Sequence, residues 1–227
     1  MKKIVILIST LLLFYNYSSA HVTHYKNLNY LEYELFRNDQ LIGYHKYNFD
    51  REGELLTIRS TVEFNINKLG VNLYKYKAES EEVYKNDNFL KFSSKTLQNK
   101  KEKFVNINYD KKNDELFING SSYQGVASKD YIVGTWWNHE IINANAQISA
   151  ISGRIIKQKV TFLGKEKIKL NGKTFDTLRF NFSSSDESLP EKKKLNTDIW
   201  YDEKNLMWVK ASFDKTGFWE YRIKVYN

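Results

Sequence analysis

The sequence contains no cysteine, which excludes disulfide bonds, a thiol nucleophile and a lipid-modified cysteine. It has a single proline, Pro190, and only four histidines among 227 residues. So few histidines leave a short set of candidates for acid–base catalysis or metal binding. Without covalent cross-links, the stability of the fold must come from the packing of apolar and aromatic side chains.

Long apolar runs are also scarce. The clearest, Ile4 to Phe14, follows Lys2 and Lys3 and precedes Ser18-Ser19-Ala20. This order of charged, apolar and small residues is typical of a secretory signal peptide. The run is too short to span a bilayer, which needs ~20 apolar residues in a helix, although a retained anchor is the alternative. We predict a signal peptide over 1–20, cleavage after Ala20, and an exported periplasmic domain over 21–227.

Charge of one sign is not concentrated anywhere. The formal net charge is +8, but lysines alternate with Glu and Asn in stretches such as Asn99 to Lys103 and Glu191 to Lys194. Scattered charge is typical of solvated loops and strand edges. No nucleic-acid partner is therefore expected.

Alternation of apolar and polar residues dominates the remainder of the chain. It is clearest in Trp219 to Val225 and Met207 to Phe213, and it recurs in the long segment Val71 to Tyr84. Successive side chains of a strand point to opposite faces, so this period of two predicts strands with one buried face. Gly43 marks a bulge or a close backbone approach. The fold class is predicted to be mainly all-β, a curved antiparallel sheet or open half-barrel of roughly twelve strands.

The alternation fails from Gly125 to Gly153. Within it, Tyr131 to Ile142 forms a dense apolar and aromatic cluster, interpreted as a loop followed by a short helix. Asn138 is placed to cap this helix, and Glu140 lies near the positive end of its dipole. The adjacent pair Trp136-Trp137 can stack on a ligand or fill a core.

Several segments together resemble a known family of uncharacterised exported proteobacterial proteins, domain of unknown function 6134. The matching segments are Leu41-Ile42-Gly43-Tyr44-His45, Leu69 to Tyr76 followed by Ser80 to Tyr84, Trp137-Asn138, Leu163 to Glu166 and Ile199 to Asp202. The sequence departs from the family pattern at His139, where proline is usual, and in the long loop Ser183 to Lys194. The resemblance implies a fold similar to periplasmic proteins of the lipoprotein-carrier type, in which an antiparallel sheet curls into an open half-barrel around a helical plug.

Motifs for catalysis are missing. His139-Glu140 lacks the second histidine of a zinc-protease helix, and there is no Gly-x-Ser-x-Gly and no phosphate loop. A freed amine at His21 can chelate Cu(II) or simply belong to a frayed terminus. No catalytic residue, metal site or cofactor is predicted, which favours a protein that is not an enzyme.

Rings on both faces of some strands motivate the leading functional hypothesis. Tyr44 and Tyr47, like Trp200 and Tyr201, lie on opposite faces of one strand. We expect a binding or carrier module for a lipophilic ligand or acyl chain, with lipid or a lipoprotein as partner. An envelope assembly or interaction protein and a weakly marked enzyme are the alternatives. The candidate ligand-binding residues are Tyr74, Tyr76, Trp136, Trp137, His139 and Trp200.

Overall fold

The computed structural model describes residues 25–227, which form fifteen strands of one sheet. The predicted signal peptide with its cleavage site after Ala20, together with His21 and His24, lies outside these residues. The strands are β1 Tyr30–Arg37, β2 Gln40–Glu52, β3 Leu55–Lys68, β4 Val71–Lys85, β5 Asn88–Gln98, β6 Lys101–Asp110, β7 Glu115–Gly120, β8 Gln124–Ser128, β9 Ile132–Val133, β10 Ala146–Ile148, β11 Ile155–Leu170, β12 Lys173–Ser184, β13 Asn196–Asp202, β14 Trp208–Asp214 and β15 Phe218–Tyr226.

The sheet runs from β8 through β1 to β15 and back along the chain to β9. All neighbouring strands are antiparallel except β9 and β10, which are parallel. The two edge strands, β8 and β9, follow each other in the chain with three residues between them. The sheet must therefore curl until its edges approach, but no hydrogen-bonded ladder joins β8 to β9 within residues 25–227. The result is an open, barrel-like, all-β architecture.

The predicted alternation sorts side chains between an inner and an outer face. In β1, the buried residues Leu31, Tyr33 and Leu35 alternate with half-buried ones. Tight turns join many of the neighbouring strands, and in the turn at Asn171-Gly172 both residues have positive φ, at 49° and 79°. This is the geometry of a two-residue turn that matches the twist of antiparallel strands.

The prediction of roughly twelve strands was too low. β9 and β10 have two and three residues, which is too short for a period of two to be visible. Together with all but the first residue of β8, they lie in the segment Gly125 to Gly153, in which the alternation typical of strands is absent. β11 runs without interruption through Gly164, which has a φ of 130° and lies at a bulge rather than in a turn.

Between β9 and β10, one 3-10 turn at His139–Ile142 confirms the predicted short helix. The Asn138 side chain accepts a hydrogen bond from the backbone N–H of Glu140 at 3.0 Å, as expected of a cap. A second 3-10 turn, Glu191–Lys193, lies in the loop before β13. Within residues 25–227, no helix is long and apolar enough to cross a membrane.

Two hydrophobic clusters occupy the inner face. The larger joins β1–β4 and β12–β15 to the segment between β9 and β10, called the insert below. The smaller packs Phe92, Ile107 and Ile118 of β5–β7 against Val133 of β9 and Ile148 of β10. Side-chain packing rather than a backbone ladder therefore brings the two edges of the sheet together.

The structure confirms the close backbone approach that was predicted at Gly43, between β2 and β3. A Cβ atom there would lie 2.5 Å from the Phe64 Cβ and would overlap the Glu63 carbonyl oxygen of the neighbouring strand. We expect Gly43→Ala to lower the free energy of unfolding by about 3 kcal/mol, because the backbone of β3 cannot move aside. Urea denaturation measures this change.

The matched control is Gly53→Ala. Gly53 has a φ of 58°, but no heavy atom lies within 4 Å of the position that an added methyl group would take, so only backbone strain of about 1 kcal/mol is expected. Equal losses in the two variants would show that steric overlap at Gly43 is not the dominant effect.

Candidate functional site

The insert covers only part of the inner face. Its rings contact Tyr25, Phe49 and Tyr84 at one end of the sheet, called the insert end. At the opposite end, called the aromatic end, the inner face carries Tyr74 of β4 and Trp219 of β15 instead. The two ends therefore differ in what covers them.

A buried carboxylate holds the insert at the insert end. Glu82 of β4 accepts a hydrogen bond from the Trp137 indole at 2.9 Å and one from the Tyr84 hydroxyl at 2.5 Å. The Thr135 hydroxyl donates a third, at 3.3 Å. Burial raises the pKa of Glu82, and these three donors oppose the rise by stabilising the charged form.

Tyrosine hydroxyls from the sheet fix the backbone of the insert. Tyr47 donates to the Thr135 carbonyl at 2.6 Å, and Tyr201 donates to the Trp136 carbonyl at 3.0 Å. The Tyr25 hydroxyl lies 2.9 Å from His139 Nδ1 and accepts from the His139 backbone N–H at 3.1 Å. Because the carbonyls of Thr135 and Trp136 are both hydrogen-bonded to the sheet, the sheet determines the backbone conformation of Trp136.

Trp136 has a strained backbone. Its φ is 63°, which is an outlier for a bulky residue and usually persists where the surrounding structure imposes it. The side chain is half-buried and packs edge-on against Trp208 at 5.4 Å and Tyr221 at 5.7 Å. Its indole nitrogen is sealed from solvent and has no hydrogen-bond partner among the described residues.

From Trp136, rings continue in contact to the aromatic end. Tyr221 contacts Phe213 at 6.5 Å, and Phe213 stacks on Trp219 at 5.8 Å. Phe64 then contacts Trp219 at 5.3 Å and Tyr74 at 5.9 Å. Five of these six rings are half-buried on the inner face, and Phe64 is buried. We call the series Trp136, Tyr221, Phe213, Trp219, Phe64 and Tyr74 the aromatic track.

Polar atoms without partners lie beside the track. Both ring nitrogens of His45 and the indole nitrogen of Trp208 are sealed from solvent and make no hydrogen bond to any described residue. His45 contacts Trp208 at 6.1 Å and Tyr221 at 6.0 Å. Burial lowers the pKa of His45 to about 3, so the imidazole is neutral at pH 7. Each unpaired buried polar group costs about 1–3 kcal/mol.

The structure brings together some of the candidate residues predicted from the sequence and separates others. Trp137, 1% exposed, lies with Trp136 and His139 in the insert. Tyr76 stacks on Phe64 at 4.7 Å, beside Tyr74 at the aromatic end.

Trp200 lies on the outer face, since Ile199 and Tyr201 on either side of it point into the core. There its ring lies between the cations of Arg179 and Lys210, each 4.8 Å from the centroid, and its indole donates to Glu166.

Sequence reasoning missed several residues of this surface. Trp219, Tyr221 and Phe213 were recognised as strand residues but not as part of a site, although their alternation places them on one face. Glu82 and His45 gave no signal, because a lone polar residue in a strand does not reveal whether it points inward. No group of three or more His, Asp or Glu side chains within 25–227 is arranged to hold a metal ion.

A groove of about 870 Å³ lies at the insert end. Its lining combines apolar and aromatic side chains, such as Phe89, Leu90 and Ile132, with charged ones, such as Lys85 and Asp130. The aromatic track differs from this groove because buried polar atoms without hydrogen-bond partners lie beside its rings.

Comparisons with known proteins agree with the fold. The family model described as "Domain of unknown function (DUF6134)" matches residues 33–224, which confirms the resemblance seen in the sequence. No curated protein matches the chain.

Among solved structures, a beta-barrel-like protein of Domain of Unknown Function DUF1849 from Brucella abortus aligns with a TM-score of 0.61 at 11% identity, covering 88% of this chain and 97% of that one. A DUF1329 family protein from Desulfovibrio piger aligns with a TM-score of only 0.22 at 8% identity, over 90% of this chain and 88% of that one. The first match supports the barrel-like fold.

The neutral His45 predicts acid sensitivity. Its pKa of about 3 lies below the ordinary value of 6.5, so between these values the unfolded chain binds a proton that the folded protein excludes. Stability therefore falls as the pH is lowered through this window. Between pH 7 and pH 4, we expect the protein to lose about 3 kcal/mol more than the variant His45→Phe. Urea denaturation at the two pH values tests this, and parallel losses in both proteins would contradict it.

Proposed function

The chain belongs to the family described as Domain of unknown function (DUF6134), and from the inner face of its sheet we propose that it binds a lipophilic ligand with an acyl chain along the aromatic track. Trp136 carries the proposal. It combines an unfavourable φ of 63°, a half-buried ring and an indole N–H without a partner. A residue that only filled the core would be expected to be fully buried and free of backbone strain, as Trp137 and Trp208 are.

The chemistry of the track fits a ligand that is mostly apolar with a few polar atoms. An acyl chain would lie against the half-buried rings, and its contact would remove apolar surface from water. The indole N–H of Trp136 and the ring nitrogens of His45 are sealed from solvent, so they would bond an oxygen of the ligand only after the half-buried rings of the track move aside. Predominantly apolar walls with a few convergent polar groups are typical of small-molecule sites.

Export to the periplasm, with removal of residues 1–20, is part of the same proposal. The signal-like order of Lys2 and Lys3, the apolar run and Ala20 supports it. A lipid or the acyl group of a lipoprotein would then be available as ligand. The aromatic track itself uses only residues within 25–227, so the binding proposal does not depend on export.

The variant Trp136→Gly tests the site without breaking the fold. Glycine removes the ring and relieves the strained φ, so we expect the free energy of unfolding to change by about 2 kcal/mol or less. Titration with a fluorescent fatty acid should show binding to the natural protein and a loss of about tenfold or more in affinity for the variant.

Two tryptophans provide controls. Trp200→Ala removes a ring from the outer face and should leave the affinity for the fatty acid unchanged. Trp137→Ala opens the buried core and should cost about 3–5 kcal/mol of stability. The proposal is wrong if the natural protein does not bind the probe, or if Trp200→Ala weakens binding as much as Trp136→Gly does.

A further inference from the structure

The hairpin of β3 and β4 extends beyond both of its neighbours. The last pair between β2 and β3 is Gly43 with Phe64, and the first pair between β4 and β5 is Tyr76 with Gln98. Residues 65–75 therefore form strand pairs only with each other. At about 3.4 Å per residue, this two-stranded ribbon projects roughly 15 Å from the aromatic end of the sheet.

The tip of the ribbon exposes large apolar side chains. Leu69 in the turn is 95% exposed, Val71 is 59% exposed and Leu73 is 54% exposed. Two further exposed apolar residues, Leu41 and Phe218, lie beside turns at the same end of the sheet. Contiguous exposed apolar residues on a soluble surface usually mark an interaction site.

The charged side chains of the ribbon are all basic. Residues 65–75 include Lys68 and Lys75 and no acidic residue. The next turn adds Lys100, and β6 begins at Lys101 directly after it. This turn is held against the ribbon by a hydrogen bond from Asn99 N–H to the Lys75 carbonyl at 2.7 Å. None of these four lysines forms an ion pair with a described residue.

We propose that the β3–β4 ribbon docks the protein on the surface of a lipid bilayer with anionic headgroups. Leu69, Val71 and Leu73 enter the interfacial layer, while the lysines contact the headgroups. A bilayer binds a few inserted apolar residues through the hydrophobic effect and attracts nearby basic residues to its anionic headgroups. A narrow two-stranded tip, in contrast, offers far less than the ~800 Å² per partner of a stable protein interface.

The position of the ribbon links this surface to the aromatic track. Tyr74 at the base of the ribbon is the last ring of the track, and Ile66 opposite it packs against the same core. Docking through the tip would turn the aromatic end toward the bilayer. Only this link rests on the proposed function, because the apolar tip and its lysines are sufficient for docking.

Vesicle flotation with the variant Leu69→Asn tests the proposal. Leu69 has a φ of 50°, a conformation that Asn adopts more readily than Leu, so the variant removes the apolar tip and is not expected to unfold. We expect the natural protein to bind vesicles of phosphatidylcholine mixed with phosphatidylglycerol more tightly than vesicles of phosphatidylcholine alone. Leu69→Asn should weaken binding to the mixed vesicles about tenfold.

Phe117→Asn is the matched control, since Phe117 is 51% exposed on the outer face of β7, away from the ribbon. It should bind vesicles like the natural protein. The double variant Lys68→Gln, Lys75→Gln should lose most of the preference for the anionic vesicles, by about fivefold for each lysine.

Absence of vesicle binding by the natural protein, or equal losses for Leu69→Asn and Phe117→Asn, would overturn the proposal. Titration of the same proteins with the fluorescent fatty acid separates the two questions. Fatty-acid binding without vesicle binding would refute docking alone, and vesicle binding without fatty-acid binding would refute the track as a ligand site.

Discussion

The hydrogen bond between the Trp137 indole and the buried Glu82 carboxylate is the contact on which the inner face depends. An open sheet cannot bury its own concave side, so another segment of the chain must fill it. The insert does this, and Glu82 anchors it through three donors. Loss of one donor would leave a buried carboxylate incompletely paired, which is far more costly than the loss of an exposed contact.

This anchor also explains why the insert fills one half of the inner face and leaves the rings of the other half only half-buried. Trp137 and the tyrosine hydroxyls hold the insert at one end of the sheet, and Trp136, adjacent in sequence, is forced into a positive φ. Its ring then lies at the boundary between the filled half and the half-buried aromatic track. Two neighbouring tryptophans therefore have different roles, one in the core and one at the edge of the surface proposed to bind a ligand.

Much of the fold could be predicted because strand alternation is a local signal. The long strand Val71 to Tyr84, the turn at Asn171-Gly172 and the Asn138 cap all follow from residues close in sequence. The short strands β9 and β10 could not be predicted, because they form only through pairing with β11 and with each other.

Less of the candidate site was predictable. The sequence indicated Trp136 and Tyr74, but their connection runs through Phe213, Trp219 and Tyr221, which follow Trp136 by 77, 83 and 85 residues (213 − 136, 219 − 136 and 221 − 136). Trp200 was predicted to bind the ligand but lies on the outer face. Alternation alone does not reveal which of two aromatic faces of a strand is the inner one. That decision depends on the curvature of the whole sheet and on the position of the insert.

The most direct measurement is photo-crosslinking of the natural protein with a fatty acid that carries a diazirine on its chain, followed by mass spectrometry of the peptides. We expect labels on the aromatic track, in the peptides that contain Trp136, Phe213 to Tyr221 and Phe64 to Tyr74. Labels confined to outer-face residues such as Phe117 and Val126 would contradict it.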